Sequence, residues 1–431
     1  MLDIKFIREN PDIIKEAIRK KRLDFNLDEL LAAETKRTEL LSEVEKMRAE
    51  QNLITEQISR FSSDPTADQS QRQTLIDQMK VFKETLATKE TELSAVMESW
   101  RNLMLRVPNV PDISVPEGED DGGNLEVRKV GEPTKFDFVP KNHVDLMLAH
   151  DMADFERGTK VAGFRGYFLK NDGAMLAYAI WMYTLQLMTK KGFTPMIVPS
   201  MVRREAFMGT GYLPQSEDDL YKNQDGEYLA GTGEVATMGY YMNETLEKSE
   251  LPKKMIAFSP CFRREIGTHG KDTKGLIRVH EFFKFEQVVL CEANHETTVA
   301  FHEELTANAE EVIQGLGLPY HVVVNCGGDL GLGQVKKYDI EAWVPSEGKY
   351  RETHSSSYFH DFQARRLNTK YRDEEGKVRF VHSLNNTAIA TPRVLVSVIE
   401  NYQNADGTIR VPEVLQAFMG KSVIGTPQSD A

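Results

Sequence analysis

From Leu30 to Leu103 the apolar positions of the chain fall into two heptad registers. Leu40, Val44, Met47, Gln51, Ile54, Ile58 and Phe61 alternate steps of four and three, and Leu30, Ala33 and Arg37 extend the register backwards. After the break Ser62-Ser63-Asp64-Pro65 a second heptad runs through Leu75, Met79, Phe82, Leu86, Lys89, Leu93, Val96, Trp100 and Leu103. Two seams joined by a short polar turn bury each other by folding back, which predicts an antiparallel coiled-coil hairpin. Roughly 35 residues per helix at ~1.5 Å each make an arm of about 50 Å. The polar intruders Arg37, Gln51 and Lys89 suit a two-helix arm in water better than a buried bundle. Ahead of the arm, Asp3 and the Asn10-Pro11 pair frame a short helical entry with Ile13, Ile14, Ala17 and Ile18 at helical spacing. The basic run Arg19-Lys20-Lys21-Arg22 reads as a solvated helix end.

Residues 106–135 are rich in Pro, Gly and acid and lack periodicity, so they read as a linker at a domain boundary. Beyond them strands and helices mix. IAFSP, VVLCE, YHVVVN, KYDIEAWVP and VRFVHSL alternate as strands, while 173–190, 294–317 and 391–403 carry helical spacing. No regular βαβ alternation occurs, which favours an antiparallel sheet flanked by helices. The expected class is α+β: a helical arm domain over 1–105 with its hairpin at about 27–104, the linker, a mixed domain over 136–425 and a frayed tail, 426–431.

Composition narrows the function classes. At 40% hydrophobic and 28% charged residues the chain is globular in type, and neither a membrane-spanning apolar run nor a signal peptide is present. A cytoplasmic protein is expected. The cysteines, Cys261, Cys291 and Cys326, form no CxxC pair, which argues for free thiols. A net charge of −13 disfavours nonspecific coating of nucleic acid and leaves room only for a local contact patch.

Three segments carry the candidate chemistry. The first is the helix 173–190 with the strand Gly192–Pro199. The second is Cys261–Glu265, a polar loop, and Val279–Glu286; the third is Asn385–Arg393, opening a helix. Period-two spacing gives Arg263 and Glu265 one strand face, and Phe282, Lys284 and Glu286 another. If both sets line one pocket, an aromatic ring for a base and a guanidinium for a phosphate come together. A sheet face with surface ion pairs fits that segment alone equally well. Arg393, at a helix start, opposes the dipole, so a polyanion or a salt bridge must explain it. None of the Gly-rich phosphate loops is present, and Gly327–Gly333 reads as a turn.

These segments resemble motifs 1, 2 and 3 of the class II aminoacyl-tRNA synthetases, and the resemblance narrows to the seryl-tRNA synthetases over nearly the whole chain. The hairpin resembles their N-terminal tRNA-binding domain, and Thr232-Gly233-Glu234 their serine loop. Gly275–Arg278, Tyr338–Trp343, Tyr350-Arg351-Glu352 and Asp361–Arg366 match as well. The resemblance implies a ligase joining serine to tRNA(Ser), and to tRNA(Sec) where present, with ATP and Mg²⁺. It implies that Arg263 holds the α-phosphate and the serine carboxylate, Arg393 the γ-phosphate, and that Phe282 stacks on adenine. Glu265 and the Val279 backbone would read the adenine edge. Arg264, Thr353 and His354 belong to the implied ATP contacts, and Glu352 and Ser355 would bind Mg²⁺ and phosphate oxygens. Thr232, Gly233, Glu234, Glu286, Asn385 and Thr387 would surround serine. A homodimer through motif 1 is implied, with Trp181 and Met182 as apolar candidates.

The chain departs from the family pattern at three positions. Asn386 replaces a glycine, Thr353-His354-Ser355 replaces an apolar residue followed by two serines, and Gly233 stands where alanine is usual. Two other readings compete. A synthetase-like carrier or regulator would lack serine-dependent pyrophosphate exchange. A structural coiled-coil protein leaves the Arg/Glu/Phe pattern unexplained.

Overall fold

The two heptads fold as helices. The computed structural model describes residues 1–63, 69–266, 270 and 272–426, so the turn around Pro65, part of the loop after Ile266 and the end of the tail lie outside the described residues. The chain forms two compact units, Asp3–Ile18 with Asp24–Val107, and Met1–Leu2 with Arg19–Leu23 and Pro108–Ala431.

In the helical unit, α1 (Ile4–Glu9) is capped by the Asp3 side chain, which accepts from the Lys5 backbone N–H. α2 (Pro11–Lys20) opens on a proline, whose missing N–H costs nothing in a first turn. α3 (Leu27–Ser63) and α4 (Gln69–Met104) pair along the heptad seam, each seam residue being buried or half-buried. Burial is deepest at Leu40, Val44, Leu86 and Leu93. Ion pairs Lys36–Glu92, Lys89–Glu43 and Arg48–Glu90 tie the helices in antiparallel register. The polar intruders are accommodated: Arg37 lies over the Trp100 ring at 4.8 Å and pairs with Glu34.

The larger unit is built on eight strands. In chain order they are β1 (Leu125–Val130), β2 (Thr194–Ile197), β3 (Lys253–Phe262), β4 (Glu281–Cys291), β5 (Tyr320–Val324), β6 (Lys336–Val344), β7 (Lys349–His360) and β8 (His382–Thr391). Their spatial order is β1-β5-β6-β7-β8-β4-β3-β2. All neighbours pair antiparallel except β2, which joins β3 in parallel. The segment read as a linker thus holds an edge strand. Its residues are largely exposed, so the alternation Leu125, Val127 lacks the apolar contrast of an inner strand.

Helices α5 (Asn171–Lys190), α6 (Gly233–Gly239), α7 (His295–Gly315), α8 (Phe362–Leu367) and α9 (Arg393–Asn401) pack around this sheet. α7 covers one face. The Gln287 and Asn386 side chains donate to the Leu305 carbonyl, and Asn308 donates to Gln287. Ser356 accepts from Thr306 at 3.0 Å and its carbonyl faces His302. Because strand side chains alternate, Glu286, Asn385, Thr387, Ser355 and Ser357 are turned to the opposite face, which stays open as a cavity.

Candidate active site

The open face of the sheet forms a cavity of about 450 Å³. From β3 and the turn after it come Arg263 and Glu265; from β4 and the turn before it, Val279, Phe282, Lys284 and Glu286. β7 contributes Glu352, Thr353 and Ser355, and β8 with the start of α9 contributes Asn385, Thr387 and Arg393. Thr232 and Glu234 arrive at the N-terminus of α6, where the Thr232 hydroxyl caps the helix by accepting from the Glu234 N–H. The two sets therefore line one pocket, but only Phe282, Lys284 and Glu286 do so as a strand face, since β3 ends at Phe262 and Arg263 and Glu265 stand in the turn after it.

Three of the expected residues stand elsewhere. His354 is buried on the far face of β7, because its neighbours Thr353 and Ser355 point inward and alternation turns it away. Arg264 is exposed at the end of β3 and donates to the Asp218 carbonyl at 2.8 Å. Gly233 is buried without lining the cavity, and a Cβ there would lie 3.2 Å from Ser259 Oγ. The Asn386 departure is likewise behind the sheet, donating to Leu305 O at 2.6 Å.

At the nucleotide-like end, the Arg263 guanidinium lies over the Phe282 ring at 5.3 Å. Arg393 Nε donates to the Ile277 carbonyl at 3.0 Å, and Nη1 donates to the Glu352 carbonyl at 2.9 Å. Its guanidinium also meets the Glu352 carboxylate at 3.4 Å. The salt bridge is thus present, and the guanidinium also lines the cavity. Burial works to raise the Glu352 pKa, yet Arg393, Lys337 and Arg263 outweigh it and hold the group below the ordinary carboxylate range. Glu265 is held by Arg278 Nη1 at 2.6 Å.

At the other end two acids sit deep. Glu234 Oε1 accepts from Gln363 Nε2 at 2.6 Å and Oε2 from the Tyr212 hydroxyl at 3.0 Å. Burial, then the neighbouring Glu286, push its pKa up to about 7. Glu286 pairs with buried Lys284, whose ammonium also donates to Thr232 Oγ1 at 2.7 Å. Thr387 Oγ1 lies 3.5 Å from Glu286. Lys284 was legible as part of the β4 face, though its contact with Thr232 was not. Gln363 lay in the matching segment Asp361–Arg366 without a role of its own, and Tyr212 and Lys337 carried no signal for the site. Lys337 pairs with Asp339 at 3.1 Å beneath Glu352, and burial raises the Asp339 pKa to about 6.

A pocket with guanidinium groups and an aromatic ring at one end and buried acids at the other, on an antiparallel sheet, suits transfer between a phosphate and a small cationic substrate. Residues 217–402 match the tRNA synthetase class II core domain (G, H, P, S and T), the class that this sheet and its cavity define. Residues 1–111 match the seryl-tRNA synthetase N-terminal domain. The chain belongs to the serine–tRNA ligase family. It is 46% identical over 429 residues to the serine–tRNA ligase of Deinococcus radiodurans, covering 99% of this chain and 100% of that one. The seryl-tRNA synthetase of Pyrococcus horikoshii, solved with ATP, superposes with a TM-score of 0.89 at 39% identity, covering 98% and 99%. The cytoplasmic enzyme of Naegleria fowleri, solved with AMP, gives 0.85 at 30% identity, covering 98% of each chain.

Proposed function

We propose that the protein activates L-serine with ATP and transfers it to tRNA(Ser), and to tRNA(Sec) where that acceptor exists. One observation carries the reading: a single cavity joins Arg263, Phe282, Glu352 and Arg393 with Thr232, Glu234, Glu286 and Thr387. In the first step a serine carboxylate oxygen bonds to the α-phosphorus while the α–β bridging bond breaks and pyrophosphate leaves. In the second, a terminal ribose hydroxyl of tRNA attacks the seryl carbonyl, the ester forms and AMP leaves. Both steps need positioning and charge stabilisation, not a protein nucleophile.

Arg263 serves the α-phosphate and the serine carboxylate, Arg393 the γ-phosphate, and Phe282 stacks on the adenine. Glu265 and the Val279 backbone serve the adenine edge. Glu234 and Glu286 hold the ammonium and hydroxyl of serine, with Thr232, Thr387 and Asn385 beside them. A site built to hydrogen-bond a hydroxyl rejects alanine, because its own polar groups are left unpaired. Magnesium binds through one or two carboxylates plus phosphate oxygens. Ionised Glu352 and the Ser355 hydroxyl on the same wall fit that need, and among the described residues no three His, Cys, Asp or Glu form a cage. When bound, the ion would neutralise phosphate charge.

A homodimer through α5 and β2 belongs to the proposal. Met175, Tyr178 and Met182 are exposed along one face of α5, whereas Trp181 packs inward against Phe258 and Phe283. A cytoplasmic location belongs to the proposal as well, and among the described residues no helix is long and apolar enough to cross a membrane. Pyrophosphate exchange across the twenty amino acids, followed by tRNA charging, tests the reading. Serine alone should support exchange, and no serine-dependent exchange at any Mg²⁺ concentration overturns it.

A further inference from the structure

Lys21 belongs to the basic run that reads from the sequence as a solvated helix end, yet only 2% of it is exposed. Its ammonium donates to three backbone carbonyls of one loop: Gly331 at 2.9 Å, Leu332 at 2.9 Å and Gln334 at 2.6 Å. The fourth carbonyl of that loop, Gly333, accepts from the buried Asn109 side chain at 3.0 Å. The Asn109 N–H adds a second bond to Leu332 O at 2.9 Å. Four successive carbonyls are thereby engaged by Lys21 and Asn109, which do not line the cavity, while Gly331, Leu332, Gly333 and Gln334 all line it.

We propose that Lys21 is a positioning residue for the amino-acid end of the pocket, its ammonium acting as a fixed cation that clamps the loop 331–334. Three acceptors match the three N–H groups of an ammonium, whereas a neutral amine has two. No carboxylate shares the ammonium in an ion pair among the described residues, so the loop carbonyls are its listeners in charge as well as in geometry. Burial lowers the Lys21 pKa, and the three carbonyls that accept from the ammonium act against that by bonding its charged form.

The clamp has two further supports. The backbone of Lys20 runs so close to Gly327 that a Cβ there would lie 2.2 Å from the Lys20 carbonyl oxygen. At Gly333 a Cβ would lie 2.8 Å from the buried Phe362 ring and 3.3 Å from Phe359, so the loop is closely packed there too. Its reach into the site is direct. Gln334 Oε1 accepts from the Gly331 N–H at 2.6 Å, and Nε2 donates to Ser357 Oγ at 2.8 Å. Ser357 is the cross-strand partner of Asn385, which lines the amino-acid end with Thr387. Residues 19–23 are flanked in the chain on both sides by the helical unit, so the clamp is set by the segment between α2 and α3.

The assay rests on the ligase reading above, and the test keeps the two separate. Lys21→Met in the full chain removes the charge and donors at similar volume. It should raise the serine KM in pyrophosphate exchange by about tenfold or more and leave the ATP KM within about twofold, as expected for a displaced positioning element. Hydrogen exchange at the amides of 331–335 should speed up, while β4 and β8 keep their protection. Lys21→Gln, which keeps two N–H donors, should shift the serine KM in the same direction by less, and it serves if Lys21→Met does not fold. A serine KM within about twofold of the parent in either folded variant overturns the proposal. So do equal rises in both KM values, or failure of both variants to fold, which would make Lys21 a support of the whole fold. If the parent shows no serine-dependent exchange the ligase reading fails, and faster exchange at 331–335 in Lys21→Met still bears out the clamp.

Discussion

Gln363 Nε2 donates to Glu234 Oε1 at 2.6 Å, and Gln363 Oε1 in turn accepts from the Ser383 hydroxyl at 2.6 Å. The amide is therefore oriented from behind, and it holds the one buried carboxylate at the pocket floor whose pKa reaches about 7. Tyr212 faces the other oxygen, with Glu286 and Lys284 as the nearby charges.

The pH dependence follows from that value. Without substrate, the folded protein holds a proton on Glu234 between about pH 4.5 and 7 that the unfolded chain has lost. The stability this group contributes is full below pH 4.5 and is lost as pH rises through 7. Binding an ammonium needs the carboxylate, so substrate capture has the opposite sign. kcat/KM for serine should fall about tenfold per unit below pH 7, and Glu234→Gln should lower it and flatten the profile. A flat parental profile from pH 6 to 8 would contradict this assignment.

Arg263→Ala removes the guanidinium that lies over Phe282 and faces the phosphate end. Serine-dependent exchange should drop by about 10²–10³-fold, the scale for losing one preorganised charge donor. Near-normal exchange would mean that the pocket is misassigned.

Deleting residues 30–100 removes most of a unit with its own helix-to-helix seam. Adenylate formation, followed by exchange, should persist while tRNA charging is lost. Joint loss of both, in a protein with a folded sheet by circular dichroism, would contradict the division of labour.

Leu86 is 5% exposed in the seam against α3. Leu86→Ala should destabilise the arm by about 2–5 kcal/mol, read as faster hydrogen exchange in α3 and α4. Pyrophosphate exchange should be unchanged.

The exposed face Met175, Tyr178 and Met182 is expected to be covered by a second copy. Light scattering at micromolar protein should give twice the chain mass, and Tyr178→Asp should shift it towards one. A parental monomer refutes the dimer.

What was legible in the sequence was what depends on backbone periodicity. The arm could be read because a heptad seam is local: residues three and four apart share a helix face wherever that helix lies. Phe282 and Glu286 were legible for the same reason at period two, whereas Arg263 and Glu265 lie past the end of β3, where the turn and not the alternation places them. Where neighbouring residues differ only in face, as with Thr353, His354 and Ser355, spacing alone left the phase open, and the covering helix α7 decided it. The edge strand Leu125–Val130 escaped because one exposed edge needs little apolar contrast.

By itself, then, the sequence determined the hairpin, the alternating faces and, through its motifs, the family. Tertiary structure alone decided which polar groups are buried, and so which are charged. Lys21 lies 310 residues from Gly331, and Gln363 lies 129 from Glu234. Desolvation and hydrogen bonding depend on distances between such remote segments, which no local pattern encodes. The same basic run that reads as solvent-facing thus supplies a buried clamp.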